Sequence, residues 1–274
     1  MLLRDRLRAR IDEMGATPDD QRLAAEVLGI RNAPPALARR LVAQALVVED
    51  RRDAWTLAGQ RIAAAAPATP GVYVLRDAEG RVLYVGKAVN LRRRLRAHFA
   101  GRRWRGLKAP LARATAAEWR EVGSELEALL REAEVIQELA PLVNVQIGPP
   151  ALDTRAIPRV LVRDVIVVVP SVELDSAELV AARQDGGWLM ERTRRNGVDL
   201  VAHAARLTRF FNSPLRGRFN SAKLAPLVFS WLAGRGAQAS RIDPHEAGAP
   251  RRLRARLAAL LADEALFTER IVVR

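Results

Sequence analysis

Residues 71–86, GVYVLRDAEGRVLYVG, have the pattern of a β-hairpin. Two apolar runs flank the polar stretch DAEG at 77–80, and its glycine can adopt the positive φ that a tight turn requires. Tyr73 and Tyr84, the only two tyrosines among the 274 residues, lie one on each predicted strand. A hairpin of this length can bring both phenols together at its open end, so we expect them to share one site.

A strongly basic helix is predicted directly after the hairpin. Asn90 is a good N-cap residue, and Gly101 lies where a helix commonly ends. Nine cations and no acid occur between Lys87 and Lys108, which favours phosphate binding over a merely solvated surface. The apolar stripe of this helix is Leu91, Leu95, His98 and Phe99, with Arg94 beside it. The cations expected to contact a nucleic acid are Arg92, Arg93, Arg96, Arg102, Arg103, Arg105 and Lys108.

A second helix, from Ser124 to Leu139, carries one acidic residue in an unusual place. Ser124 begins a capping-box-like sequence. The apolar stripe is Leu126, Leu129, Leu130, Ala133 and Ile136, and the charged residues expected on the opposite, solvated face are Glu127, Arg131, Glu134 and Glu138. Glu132 lies at the margin of the apolar stripe, where a carboxylate requires a cation or a metal ion. A salt bridge to Arg94 or to another arginine is the alternative.

The composition indicates a polyanionic partner. Lys and Arg number 45 against 31 Asp and Glu, a net charge of +14, and nucleic acid fits this excess better than an anionic membrane surface. The chain has no cysteine, which excludes disulfides, thiolate metal sites, iron–sulfur clusters and a cysteine nucleophile. No stretch approaches 18 uncharged apolar residues and the N-terminus lacks the pattern of an export signal, so a cytoplasmic protein is predicted.

The N-terminal segment, residues 1–62, predicts helices followed by a hairpin. Thr17 would cap one helix and Pro34-Pro35 would begin another, while LVVED and WTLA within 46–58 have the character of two short strands around a polar turn. This order is typical of a winged helix, with Arg39 and Arg40 on the recognition helix and Arg51 and Arg52 at the wing tip. A small helical domain with a structural hairpin, or one that docks a protein, is the alternative.

A low-complexity joint, AAAAPATP at 63–70, leads into a second domain at 63–148. The third segment, 149–274, predicts strands within 158–171 and 177–193, the latter with a turn at 185–187, and then three helical runs. The predicted fold class is therefore α+β, in which a small α/β domain is flanked by a winged-helix-like domain and a C-terminal α+β domain.

The hairpin, the basic helix and the acidic helix together resemble the GIY-YIG nuclease family, here as Gly71-Val72-Tyr73 and Tyr84-Val85-Gly86. The run GVYVLRDAEGRVLYVGKAVNLRRRLRAHF is similar to the N-terminal nuclease module of the UvrC proteins of nucleotide excision repair, and EALLREAEVIQELAPLVN resembles the second signature of that module. The resemblance covers roughly residues 67–148.

The resemblance implies a role for each matching residue. Tyr84 would be the base that deprotonates the attacking water, assisted by Lys87, and Tyr73 would line the same pocket. Arg94 would steady the scissile phosphate. Glu132 would be the single protein ligand of one divalent cation, Mg²⁺ or Mn²⁺. Asn144 would hold the pocket by hydrogen bonding, and Gly86 would allow close backbone approach. The implied reaction is hydrolysis of a DNA phosphodiester to a 5′-phosphate and a 3′-hydroxyl, in damaged or distorted duplex.

The rest of the chain departs from full-length UvrC. No carboxylate site of the ribonuclease-H type is recognised after residue 150, so one cut per binding event is expected. No helical-hairpin motif for UvrB is recognised there either, so DNA is the expected partner and a UvrB–DNA complex is a doubtful one. The layout is closer to the shorter Cho-like homologues, and to the UvrC-type half of polymerase III epsilon/UvrC fusions. The alternatives are a catalytically silent DNA-binding or regulatory module and a GIY-YIG nuclease outside repair.

Overall fold

The computed structural model describes residues 3–15, 17–100, 109–147, 157–213, 224–235 and 239–268. It is an α+β structure with two separate sheets. The helices and strands in the first half are α1 (Leu3–Met14), α2 (Asp20–Glu26), α3 (Pro35–Ala65), β1 (Gly71–Arg76), β2 (Val82–Ala88), α4 (Leu91–Ala100), β3 (Ala116–Glu121), α5 (Glu125–Leu139) and α6 (Leu142–Ile147). Those in the second half are β4 (Val165–Pro170), β5 (Ser176–Ala182), β6 (Trp188–Arg194), α7 (Leu200–Asn212), α8 (Ala225–Arg235), β7 (Ser240–Ile242), α9 (Pro244–Ala247), α10 (Pro250–Ala262) and α11 (Ala265–Thr268).

The predicted wing does not exist, because α3 runs unbroken through it. Residues 46–57 are helical, and the helix passes the predicted boundary at residue 62 to end at Ala65. The two β-branched residues Val47 and Val48 and the charges after them suggested strands and a turn, but this stretch contains neither glycine nor proline to interrupt a helix. The prediction that residues 51 and 52 lie at a wing tip is therefore wrong.

The two ends of α3 pack against different cores. Ala38 and Val42, near its start, join Leu7 of α1 and Leu23 of α2 in one cluster. Trp55, Ala58 and Ile62, near its end, belong to the core that also contains Tyr73. The N-cap of α2 is Asp19, whose carboxylate accepts from the amides of residues 21 and 22, and not Thr17 as expected.

The first sheet has the strand order β2-β1-β3 and is antiparallel throughout. The predicted hairpin is confirmed: Gly80 has φ +79°, and the buried carboxylate of Asp77 accepts from the amides of Glu79 and Arg81 and from the Arg81 guanidinium. Helix α4 begins where predicted, since the Asn90 side chain accepts from the Arg93 amide at 2.8 Å. Gly101 lies outside the described residues.

The second sheet, with the order β6-β5-β4-β7, forms the centre of the C-terminal third. Its strands alternate between two apolar clusters. Val165, Val167 and Val180 pack with α5 and α8 on one face, while Ile166, Val168 and Leu179 pack with α7 and α10 on the other. The predicted turn at 185–187 is present, with Gly186 at φ +99°. Helix α5 therefore lies between the two sheets and contacts both.

Within the described ranges, no helix is both long and apolar enough to span a bilayer.

Candidate active site

The hairpin places both tyrosines on one face of the first sheet. Tyr73 pairs with Gly86 across the strands and Tyr84 pairs with Leu75, so the two phenols project to the same side with ring centroids 6.0 Å apart. Gly86 fits between them: a Cβ at that position would lie 2.6 Å from the Tyr73 hydroxyl and 2.7 Å from Cε1 of Tyr84. Glycine is therefore required here by the closeness of the two rings.

His98 of α4 completes this aromatic cluster. Its side chain is buried, its Nε2 is hydrogen-bonded to the hydroxyl of Tyr73, and its ring lies 5.5 Å from Tyr73 and 6.1 Å from Tyr84. His98 was predicted in the apolar stripe of α4, where it lies, but this contact was not predicted. The signal that could have identified it is its position four residues after Arg94, which brings both side chains to the same face of the helix.

Burial shifts the pKa of both phenols upward in the free protein. It raises the pKa of Tyr73, which is fully buried, and the proximity of Tyr84 raises it further. Burial also raises the pKa of Tyr84, and the carboxylate of Glu132 adds to that shift. Arg94 lies within hydrogen-bonding reach of both hydroxyls, and its positive charge opposes both shifts. The structure thus brings Tyr73, Tyr84 and Arg94 together as predicted.

Glu132 reaches the same end of the hairpin from α5. Its Oε1 accepts from the backbone amide of Lys87 at 2.9 Å. Burial raises the pKa of Glu132, while the charge and amide of Lys87 and the charge of Arg94 oppose the shift. A divalent cation bound at this carboxylate would stabilise its charged form, which burial disfavours.

The available ligands fit a metal that needs few protein groups. The parts of the chain that the structure describes contain no cluster of three or more His, Cys, Asp or Glu suited to a metal ion. Mg²⁺ binds commonly through one or two carboxylates, several waters and substrate phosphate, so Glu132 as a single protein ligand is chemically sufficient.

Asn144 secures the strand that carries Tyr84. Its side-chain oxygen accepts from the Val85 amide at 2.8 Å, and its side-chain nitrogen donates to the Val85 carbonyl at 3.0 Å. Because β2 is an edge strand, these two bonds satisfy backbone groups that no neighbouring strand reaches. Asn144, for which a holding role was predicted, thus lies beside the site and is bonded to β2.

The cations predicted to bind DNA divide into three groups. Arg93 and Arg96 are exposed on α4 beside the site. Arg92 donates through Nε to the Ala66 carbonyl at 2.8 Å, which ties α4 to the residue after α3. The other four, Arg102, Arg103, Arg105 and Lys108, lie outside the described residues.

The sequence of this region matches that of known nucleases. Residues 69–145 match the family described as the UvrC-like GIY-YIG domain. The UvrABC system protein C of Desulforudis audaxviator is 46% identical over 79 residues, which cover 29% of this chain and 13% of that protein. The corresponding protein of Paenarthrobacter aurescens is 51% identical over 83 residues, 29% of this chain and 12% of that protein. The chain therefore spans about an eighth of the length of these curated relatives.

Solved structures of similar sequence come from the N-terminal GIY-YIG endonuclease domain of UvrC from Thermotoga maritima. The form bound to magnesium, described as its catalytic divalent cation, is 30% identical, and the match covers 31% of this chain and 94% of that one with a TM-score of 0.28. A point mutant of the same domain, N88A, is also 30% identical with a TM-score of 0.28, covering 31% of this chain and 91% of that one.

Proposed function

We propose that the chain is a DNA endonuclease that makes a single metal-dependent phosphodiester incision in nucleotide-excision-type repair, because residues 69–145 match the family described as the UvrC-like GIY-YIG domain. The observation that carries the proposal is the convergence of two phenols, an imidazole, a guanidinium and a carboxylate at one end of a hairpin. Its substrate is DNA, in accordance with the net charge of +14 and with the exposed arginines of α4.

Arg94 is the residue best placed to bind the scissile phosphate. Its side chain is exposed enough to meet a ligand, yet it reaches the buried Tyr73 and the half-buried Tyr84. A guanidinium can donate two parallel hydrogen bonds to phosphate and stabilise the charge that develops on its oxygens. Arg93 and Arg96, exposed on the same helix, would bind neighbouring phosphates.

Proton transfer from the attacking water is assigned to Tyr84, assisted by Lys87, and the charge of Arg94 opposes the rise that burial causes in the pKa of the phenol. Tyr73 offers a second route, since a neutral His98 with Nε2 unprotonated can accept the Tyr73 proton directly. Under the second route, replacement of His98 removes the proton acceptor of Tyr73, whereas under the first it affects only packing and charge.

Glu132 would hold the divalent cation, Mg²⁺ or Mn²⁺. When bound, that ion supplies Lewis-acid polarisation of the phosphate and stabilisation of the leaving oxygen. The hydrogen bond from the Lys87 amide fixes one carboxylate oxygen, and Asn144 fixes the strand on which that amide lies. These contacts set the distance between the carboxylate and the phenols before any ligand binds.

The test is nicking of a duplex that carries a bulky adduct, in Mg²⁺ and in Mn²⁺, beside the same duplex without the adduct. Glu132→Ala and Tyr84→Phe are expected to abolish nicking while DNA affinity stays within about twofold, because neither residue is a main phosphate contact. Glu138→Ala, an exposed carboxylate on the same helix, is the matched control and should nick normally.

The outcomes separate the alternatives. Nicking that persists in both Glu132→Ala and Tyr84→Phe would contradict the site assignment. Equal cutting of damaged and intact duplex would indicate a nuclease outside repair, and DNA binding without nicking would indicate a catalytically silent module. Adding UvrA and UvrB to the assay tests whether a UvrB–DNA complex is the substrate.

A further inference from the structure

The helix that carries Glu132 is buried on a second side that the active site does not use. One side of α5 faces β2, where Glu132 meets the Lys87 amide. Leu126 and Leu130 are fully buried in the core formed with the second sheet and α8. Glu127, expected on a solvated face, has 0% of its surface exposed. The prediction for Glu127 was wrong because the C-terminal sheet covers that side of the helix, and residue periodicity does not reveal what will cover a charged face.

A compact charge cluster occupies the contact between α5 and this sheet. Nε of Arg192, on β6, donates to Oε1 of Glu178 on β5 at 2.6 Å, and the Ser171 hydroxyl donates to the same oxygen at 2.8 Å. Nη2 of Arg192 lies 4.0 Å from Oε1 of Glu127. That oxygen has no hydrogen-bond partner among the residues that the structure describes, while the other accepts from the Gly123 amide at 2.9 Å.

Two nearby buried carboxylates require a positive charge between them. Burial raises the pKa of Glu127, and the charge of Glu178 raises it further, whereas the Gly123 amide, Arg131 and Arg192 oppose the shift. Arg131 belongs to α5 itself and also pairs with Glu134 at 2.8 Å. Arg192 is therefore the cation that joins the first turn of α5 to the C-terminal sheet, and its loss would leave two like charges facing one another.

The backbone makes the same connection at closer range. A Cβ at Gly123, one residue before the N-cap of α5, would lie 2.1 Å from the carbonyl carbon of Ser171 and 2.5 Å from the Pro170 oxygen. The end of β4 thus touches the chain that leads into α5. Together with the Arg192 cluster, it fixes the start of the helix about two turns before Glu132.

We propose that Arg192 and Glu127 are positioning residues through which the C-terminal sheet sets the place of Glu132 relative to β2. Neither residue touches the phenols, and both act through α5, which behaves as a rigid element between the two sheets. The C-terminal third is then a structural part of the nuclease and not an independent appendage. The catalytic meaning of this inference rests on the proposed endonuclease function, but the geometric claim does not.

The test compares two substitutions, each of which removes a cation that pairs with a carboxylate of the second sheet. The two cations lie on opposite faces of that sheet. Arg192→Gln removes the cation that faces α5. Arg206→Gln removes a cation of α7 whose Nη1 lies 2.7 Å from Oε1 of Glu191. Glu191 is next to Arg192 on β6, but its side chain faces α7. Cooperative thermal unfolding checks that each variant is folded.

Amide hydrogen exchange without metal or DNA gives the direct measurement. The Lys87 amide donates to Glu132, and the Val85 amide, two residues away on the same strand edge, donates to Asn144. In Arg192→Gln we expect exchange at Lys87 to be about tenfold faster and exchange at Val85 to change less than about twofold, because the acceptor of the first bond is on α5 and the acceptor of the second is on α6. Neither amide should change in Arg206→Gln. Equal protection of Lys87 in the two variants overturns the proposal.

Metal dependence and a rescue complete the test. The Mg²⁺ concentration for half-maximal nicking should rise about tenfold or more in Arg192→Gln and stay constant in Arg206→Gln, as expected when a residue that orients a metal ligand is lost. Adding Glu127→Gln to Arg192→Gln removes one of the opposed carboxylates and should restore Lys87 protection to within about threefold of the unsubstituted protein. If the Lys87 amide exchanges as fast in the double variant as in Arg192→Gln alone, the role of Glu127 is contradicted. If the unsubstituted protein does not nick DNA, the proposed function fails, whereas the exchange experiment still decides the positioning role.

Discussion

Gly86→Ala tests how closely the two phenols must approach the backbone of β2. The added Cβ would lie 2.6 Å from the Tyr73 hydroxyl and 2.7 Å from Cε1 of Tyr84, where ordinary contacts begin at 3.4 Å. Each ring must therefore move by about 0.8 Å or less. Tyr73 is fully buried, and its hydroxyl is held by His98, so it has little room to move.

The cost of that displacement has two parts. Overpacking of this kind destabilises a protein by about 1–3 kcal/mol. At about 2–4 °C per kcal/mol for a chain of this size, Tm should fall by about 2–12 °C. Displacement of catalytic groups by nearly 1 Å should reduce the nicking rate about 10²-fold. The rate is measured at 25 °C, below the unfolding transition, so that loss of activity reports geometry and not unfolding.

Gly234→Ala is the matched control. Gly234 lies in α8, and no described atom outside its chain neighbours and its own helix backbone lies within 4 Å of its added Cβ. Substitution of a helical glycine by alanine should raise stability by about 0.4–1 kcal/mol with no effect on nicking. A Gly86→Ala protein with unchanged Tm and nicking within twofold of the unsubstituted chain would refute the reasoning about Gly86.

Three further substitutions test other parts of the structure. Gly59→Ala, in α3, should lower Tm because the new Cβ would lie 2.3 Å from Cβ of Phe99, and this clash outweighs the stability that alanine usually adds to a helix. Differential scanning calorimetry measures Tm, and a rise would contradict the prediction. His98→Phe should slow nicking and cost about 1–3 kcal/mol in denaturant unfolding, because it leaves the buried Tyr73 hydroxyl without its imidazole partner; unchanged rates and stability would count against that contact. Glu127→Gln should raise Tm near neutral pH, with a gain that shrinks on acidification. Burial raises the pKa of Glu127 in the folded state, so the charged carboxyl destabilises the fold above that pKa and protonation at lower pH removes the penalty; a gain that grows on acidification would contradict this sign.

The parts of the site that were predictable from sequence are those encoded locally. The tyrosines follow from strand alternation and one turn, so their common face is determined within sixteen residues. The position of Glu132 at the edge of an apolar stripe likewise indicated an unusual carboxylate. The proposed role of Glu132 as a metal ligand came from the resemblance to a known signature and stays a prediction.

The errors concern contacts between distant segments. The mixed sequence of α3 between Val47 and Ala58 satisfied a strand-and-turn pattern as well as a helical one. Packing of Trp55 on Phe99, with ring centroids 4.5 Å apart and a 3.0 Å hydrogen bond from the indole to the Phe99 carbonyl, favours the helix. Glu127 was misplaced because its burial depends on the C-terminal sheet, which lies far away in sequence. His98 was correctly assigned to the buried stripe of its helix, but its contact with Tyr73 was not predicted for the same reason.

The unbroken course of α3 has a mechanical consequence for the N-terminal helices. A helix that is shared by two cores transmits rotation as well as distance. One residue inserted near its middle would turn α1 and α2 by about 100° about the helix axis and move them about 1.5 Å away from the site. Four inserted residues would restore the angle to within about 40° while adding about 6 Å. An insertion series through α3 would therefore show a periodic response if the orientation of the N-terminal helices matters, and a gradual one if only their distance does.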